Sequence, residues 1–357
     1  QSTFRPYDIY LEDFWTKSGE KGKSGIFVSG VFTKKGEKTI EDFLMMLYDA
    51  DINKKTGEEN IEKFWEWYRV QHFSAWHDFI VNFNKGTSLV KSDNDKRSIA
   101  VLMSTEHNPY WTMLRRAAAE MATTKNLKSP PIWAQLVVEL DKAQKVIEKS
   151  GESAKKDVKS KLAETQQKVA KRLELFKVKE IEDLDKRIAV GNALAELKKG
   201  VGNLAPIAVN DENAFRLVSD FFTEPIPNSE NKSPFYAVYV EYKKVKSLLK
   251  DYDENSDFVW NAVVAPLKYL MDYSVSRSSC FLQTLWERDV LSRTESVEKE
   301  RVTRVLFNKT DGLAWKFRDG PAKPFLSRTK WGYEPRKILT KTDYEQYIDF
   351  KPDLFAF

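Results

Sequence analysis

The chain has 357 residues, of which 41% are hydrophobic, 13% aromatic and 31% charged, with a net charge of +5. That length suits one large or two to three smaller domains, and the aromatic share can anchor a sizeable core. The single cysteine, Cys280, excludes an intrachain disulfide and a thiolate metal cluster; no run approaches the roughly 20 apolar residues of a membrane helix; and the mild basic excess does not by itself imply nucleic acid.

The first residue is Gln1, so the expectation is an excised or processed piece, with any membrane anchor outside it. Tyr7, Tyr10, Leu11, Phe14 and Trp15 have the spacing of a short amphipathic helix. Gly22-Lys23-Ser24 invites comparison with a phosphate-binding loop. That motif needs a glycine where Lys17 stands, and a helix where Gly25–Val28 reads as extended, so a solvated turn is the simpler reading. One small hairpin is expected near Gly25–Phe32. Thr33 is a candidate cap for a helix with Phe43, Leu44, Leu47 and Tyr48 on its apolar face. Asn53–Asn60 reads as a polar loop.

Ile61–Phe83 predicts a strong helix, with Phe64, Trp65, Tyr68, Phe73, Trp76, Phe79 and Ile80 at helical spacing. Such a stripe can be an aromatic groove for a ligand or the face of a core helix, and stripes of this period are usually core. His72 and His77 are five apart, not the four that put two ligands on one face, and with three histidines in the chain no metal site is expected. Asn108-Pro109 and Ser233-Pro234 repeat one helix-start device, a cap followed by proline at the first helical position. Arg115 and Arg116 can either bind an anion or line a solvated face.

Pro130-Pro131 closes this first region. Ile132–Leu197 is almost wholly helix-forming, and the basic excess is concentrated here: residues 141–199 hold 16 Lys or Arg against 11 Asp or Glu. Acids precede bases by four at Asp141–Lys145, Glu152–Lys156, Asp157–Lys161, Glu164–Lys168, Glu182–Lys186 and Asp183–Arg187, each worth about 0.2–0.5 kcal/mol on an exposed helix. Two narrow apolar stripes, Val158 to Phe176 and Ile181 to Leu197, predict two or three long helices packed on one side only and projecting as an arm. Ser150-Gly151 and Gly200 are the expected stops. The arm is either a solvated helical hairpin or a Lys-rich surface for nucleic acid or anionic lipid.

Gly200–Pro206 then reads as a linker. Asp211 or Asn213 is the expected cap of a helix holding Phe215, Leu217, Val218, Phe221 and Phe222. Pro266 is expected to kink or break a helix over 258–273, and Cys280, on a face with Leu282 and Trp286, to be a buried structural cysteine. No GxSxG, HExxH, paired-cysteine or dinucleotide motif occurs. Asp349 and Asp353 are the nearest thing to a glycosidase-like carboxylate pair, but acids near a chain end usually face water. No catalytic, cofactor-binding or metal residue is assigned, and no enzyme is expected.

The residues therefore predict a mainly α fold, an elongated multi-helix assembly with an irregular aromatic, Gly- and Pro-rich C-terminal segment. Its expected parts are an N-terminal helical subdomain (1–130), a charged helical arm (131–205) and a C-terminal helical subdomain with a wrapping segment (206–357). In that last segment prolines remove donors and glycines free φ, so it cannot be one regular element, yet it is too aromatic for a linker.

Its order of residues is Leu306-Phe307, Gly312, Trp315, Phe317, Gly320-Pro321-Ala322, Pro324-Phe325-Leu326 and Gly332-Tyr333, then Phe350, Pro352 and Phe355. This resembles the periplasmic part of the IcmF/TssM family, the large inner-membrane component of type VI secretion systems. Gly30 and Phe32 in Ser29-Gly30-Val31-Phe32-Thr33, the proline-started helix at Pro109 and the tryptophan-bearing helix before it fit the same pattern. Ser29 and Asp349 stand where the family usually has proline. The resemblance implies a structural, cofactor-free protein in the periplasm, anchored in the inner membrane. It also implies bridging to an outer-membrane lipoprotein through a following β-rich domain, contact with other inner-membrane secretion components, homo-oligomerisation and no nucleic acid.

Overall fold

The computed structural model describes residues 3–16, 21–50, 54–121, 130–154, 178–223, 233–338 and 348–349. They form a mainly α, multi-helix fold with a few two-stranded antiparallel pairs. Phe350, Pro352, Asp353 and Phe355 lie outside the described residues, as do the centre of the expected arm and the expected pairs Asp157–Lys161 and Glu164–Lys168; the side chains of Glu152, Glu182 and Asp183, on which the other pairs rest, are likewise outside what is described. The chain divides into two compact units: Gln1–Lys198 with Glu241–Pro266, and Lys199–Val240 with Leu267–Phe357.

In the first unit the N-terminal stretch is more broken than its periodicity suggests. A 3-10 turn at Arg5–Tyr7, strand β1 (Ile9–Tyr10) and helix α1 (Glu12–Trp15) replace the single amphipathic helix. β1 pairs with β2 (Phe27–Val28), Ile9 opposite Val28, so the expected hairpin strand closes on residues far upstream instead of within 25–32. Asp8 explains part of this: its carboxylate accepts from the Gly30 amide at 2.6 Å and from the Tyr10 hydroxyl at 3.0 Å.

Helix α2 (Lys34–Ala50) starts where its cap predicts. Thr33 Oγ1 accepts from the Gly36 amide at 3.2 Å, and buried Glu120 accepts from the Lys34 amide at 2.6 Å. Its expected apolar face is not covered, because Phe43 and Leu47 are exposed. Helix α3 (Lys54–Asn82) begins earlier than the polar reading of 53–60 allows, and a 3-10 segment, Phe83–Leu89, follows it. Tyr68, Phe73, Trp76, Phe79 and Ile80 are all buried, which makes α3 a core helix.

Helices α4 (Asp93–Leu102) and α5 (Pro109–Met121) follow. Asn108 caps α5 through Oδ1 and the Tyr110 amide at 3.1 Å, while its Nδ2 donates to the Met103 carbonyl at 2.7 Å. Helix α6 (Ile132–Ala154) packs on α5 and runs through Ser150-Gly151 without stopping. Helix α7 (Val178–Ala208) likewise passes through the expected stop at Gly200 and the expected linker.

The glycines of α7 serve packing instead of termination. A Cβ on Gly191 would sit 2.5 Å from the Ala143 carbonyl oxygen, and one on Gly200 would sit 2.6 Å from Val238 Cγ2. Trp133, Leu136, Val137 and Leu140 of α6 are buried, as are Val190, Ala193, Leu194 and Leu197 of α7. The described ends of segment 131–205 up to Lys198 therefore belong to the first unit's core instead of forming a separate arm. The expected Asp141–Lys145 pair is present at 2.6 Å.

In the second unit, Asn210 is the cap of helix α8 (Asp211–Thr223), its Oδ1 accepting from the Asn213 amide at 3.0 Å. Asp211 instead pairs with Arg277. Helix α9 (Pro234–Leu248) starts at its proline, and helix α10 (Asp257–Trp286) runs unbroken through Pro266; the end of α9 and the start of α10 belong to the first unit. A proline forfeits one helical hydrogen bond, and the buried Val263, Val264, Leu267 and Leu270 around it offset that loss. Cys280 is exposed. Residues two positions apart on a helix point about 200° apart, so it faces away from buried Leu282.

Candidate functional site

The motif-bearing segment folds as one continuous piece of the second unit. A π-helical turn (Glu287–Leu291) and short helices α11 (Ser292–Thr294) and α12 (Lys299–Phe307) lead to helix α13 (Leu313–Asp319). Gly312 lies where the chain crowds itself, since a Cβ there would come within 2.6 Å of the Leu306 carbonyl oxygen. Gly320 and Pro321 end α13, and a 3-10 turn holding Pro324, Lys323–Phe325, delivers the chain into hairpin β3 (Leu326–Thr329) and β4 (Gly332–Pro335). Gly332 has φ +141, a conformation that favours glycine at the hairpin turn.

Its aromatics take two different positions. Phe317, Phe325 and Leu326 are buried with Val218, Phe222, Leu282, Leu285 and Val290 in one cluster. Phe325 meets Phe222 at 5.3 Å and Phe215 at 5.7 Å; Phe317 meets Trp286 edge-on at 5.0 Å. Trp315, Tyr333 and Trp331 lie outward. The Arg318 guanidinium stands 4.5 Å from the Trp315 ring centre and 4.7 Å from that of Tyr333, and bonds Asp319 at 2.8 and 2.6 Å. That contact holds the Asp319 carboxyl below its ordinary range. Trp331, at the hairpin tip, is 94% exposed. Arg336 ties the hairpin down: it donates to the Phe222 carbonyl at 2.7 Å, and its amide donates to the Phe325 carbonyl at 2.7 Å.

The remaining residues singled out in the sequence lie in the first unit. A Cβ on Gly30 would come 2.1 Å from the Phe4 carbonyl oxygen, so only glycine fits this crossing. Phe32 is half-buried against Tyr68 at 5.7 Å, and the carbonyls of Val31 and Phe32 accept from Tyr68 Oη at 2.7 Å and Trp76 Nε1 at 3.1 Å. Pro109 is buried at the first position of α5. The structure thus brings Trp315, Phe317, Gly320, Pro321, Pro324, Phe325, Leu326, Gly332 and Tyr333 together, and places Gly30, Phe32 and Pro109 elsewhere.

Sequence reading did not find a second feature of the first unit. Trp111, Leu114, Arg115, Val137, Gln144 and Lys198 are among the residues lining a small solvent-open recess with about 30 Å3 of enclosed space. Lys198 Nζ donates to Gln144 Oε1 at 2.5 Å and stands 5.1 Å from the Trp111 ring centre. Burial first, then the nearby Arg115 charge, lowers its pKa to about 8. The half-buried lysine can accept an anion's charge, but the recess assembles no nucleophile–base pair or oxyanion donor set. Among the described residues no group of three or more His, Cys, Asp or Glu is placed to hold a metal ion.

Compared with protein-family models, curated proteins and solved structures, the chain matches none. No helix among the described residues is long and apolar enough to cross a membrane.

Proposed function

We propose that this chain is a structural, non-catalytic periplasmic portion of a type VI secretion inner-membrane protein of the IcmF/TssM type. In this reading it forms part of a homo-oligomeric membrane complex, takes no cofactor and no nucleic acid, sits among other inner-membrane secretion components, and bridges toward an outer-membrane lipoprotein. One observation carries the reading. The residues that bear the resemblance, from Gly312 to Tyr333, form a continuous helix, turn and hairpin whose buried rings complete a core, which is what a rigid spacer needs.

The other reading, a helical module touching nucleic acid or anionic lipid through 131–205, draws less support. Cations described there already have protein partners: Lys142 and Arg187 with Glu139, Lys145 with Asp141, Lys186 with Asp251, and Lys198 with Gln144.

The test compares this chain with a version extended past Phe357 by about 150 residues, a typical domain length, for binding to the outer-membrane lipoprotein encoded beside it. Binding by the extended form alone is the expected result. Binding by neither form overturns the proposal. Attachment to nucleic acid or anionic vesicles that falls steeply with salt would put the other reading first.

A further inference from the structure

Lys198 differs from the cations around it. Lys142, Lys145, Lys186 and Arg187 each reach a carboxylate. Lys198 Nζ instead donates to the neutral Gln144 Oε1 and lies against the Trp111 ring, with no carboxylate at ion-pair distance among the described residues. Three helices of the first unit bring this group together: Trp111 and Arg115 come from α5, Gln144 from α6 and Lys198 from α7. Arg115 gives one N–H to the Glu106 carbonyl at 3.2 Å, and it too has no carboxylate partner among the described residues. A guanidinium carries five donors, so Arg115 can also hold an anion in the recess that it lines.

Charge and space together say what the recess takes. Burial and the Arg115 charge disfavour the ammonium form of Lys198, while Glu148 and Asp141 on α6 act the other way. Both acids are already engaged, Asp141 with Lys145 and Glu148 with Gln144 Nε2. With a pKa of about 8, about a tenth of Lys198 is free base at pH 7, against well under about a thousandth for a solvated lysine. Only the free amine is a nucleophile. The enclosed space is about 30 Å3, and one water needs roughly 10–15 Å3 of such space. A triatomic electrophile fits beside the amine, whereas a sugar or a nucleotide is too large to enter.

We propose that Lys198 is a carbamate site, at which its nitrogen adds to the carbon of carbon dioxide and the carboxylate so formed pairs with Arg115. The N–C bond forms as one C–O π pair moves onto oxygen, and the nitrogen releases a proton to solvent through the open mouth of the recess. Nothing is oxidised or reduced. The repulsion between two cations becomes a charge-assisted pair joining α7 to α5. The recess exists only in the folded chain, so carbon dioxide also stabilises the fold by mass action. None of this rests on the secretion reading, which stands or falls by the lipoprotein test.

The experiment incubates the whole chain with 13C-labelled bicarbonate, the source of dissolved carbon dioxide, at near-neutral pH. Carbamate is then trapped by O-alkylation with a trialkyloxonium salt and located by peptide mass mapping. Lys198 should carry at least about tenfold more label than Lys142, an exposed lysine on α6. Lys198→Arg should abolish the carbamate carbonyl signal in 13C NMR. Arg115→Gln should lower occupancy about tenfold, since it removes the anion's partner and lets the ammonium persist; Lys142→Arg should leave occupancy unchanged. Circular dichroism checks that the variants fold, and mapping on the wild type needs no variant. Label at Lys198 no higher than at Lys142, a carbamate signal that survives Lys198→Arg, or full occupancy in a folded Arg115→Gln chain overturns the proposal.

Discussion

Two stretches of this molecule are rich in aromatic rings and use them in opposite ways. Helix α3 repeats its rings at helical spacing, and from Tyr68 to Ile80 they all enter one core. The C-terminal segment from Gly312 to Arg336 breaks its rings into sets with glycine and proline. Phe317 and Phe325 go in, Trp315 and Tyr333 clasp Arg318, and Trp331 stands in solvent. Periodicity alone decides burial in the first case. In the second, burial depends on where each turn points the chain, so the difference between core ring and surface ring has to be tested residue by residue.

The largest effects should come from the stripe of α3. Trp76→Ala removes a fully buried ring and its bond to the Phe32 carbonyl, and should cost about 3–5 kcal/mol in urea unfolding. Trp67→Ala, on the half-exposed side of the same helix, should cost less than about 1 kcal/mol. Equal losses would break the reading of α3 as a one-sided core helix.

His72 sharpens the comparison, because it is a polar ring inside that stripe. It is fully buried, and neither ring nitrogen has a hydrogen-bond partner among the described residues. Burial lowers its pKa from the ordinary 6.5 to about 4. The unfolded chain therefore takes up the proton first as pH falls, so this contribution to stability is complete above about pH 6.5 and is lost progressively toward pH 4. His72→Leu should flatten stability across that window and raise it at neutral pH by about 1 kcal/mol; thermal melts at a series of pH values would show both.

A smaller effect of the same kind is expected at Lys198. Its folded-state pKa of about 8 lies below the ordinary 10.5, so the unfolded chain binds the extra proton between those values and stability rises with pH through that window. Lys198→Met should remove this rise, as read from unfolding midpoints at pH 8 and above. A wild-type profile that is flat or falling there would show that the lysine is solvated instead of buried.

Much of the fold could be read from local sequence. Helix α3, the Thr33 cap of α2 and the Asn108-Pro109 start of α5 depend on neighbours a few residues apart, where spacing and side-chain chemistry act directly. The errors came where distant packing overrides local meaning. Gly200 reads as a stop, but inside α7 it makes room for Val238. Asp211 reads as a cap and is drawn to Arg277. Pro266 reads as a break within a helix whose buried residues hold it straight through. The Gly- and Pro-rich segment was legible as ordered and irregular. Its inner and outer rings were not, because Phe325 finds its partners on α8 and Arg336 reaches the Phe222 carbonyl from more than a hundred residues away.

The most direct test of the C-terminal segment as a closing piece of core is a pair of unfolding curves, for Phe325→Ala and Trp331→Ala. Phe325 is fully buried and Trp331 almost fully exposed. The first should cost about 3–5 kcal/mol and the second less than about 0.5 kcal/mol. Equal costs, or a Phe325→Ala variant as stable as the wild type, would mean that the segment does not close this core, and the structural role proposed for it would fall.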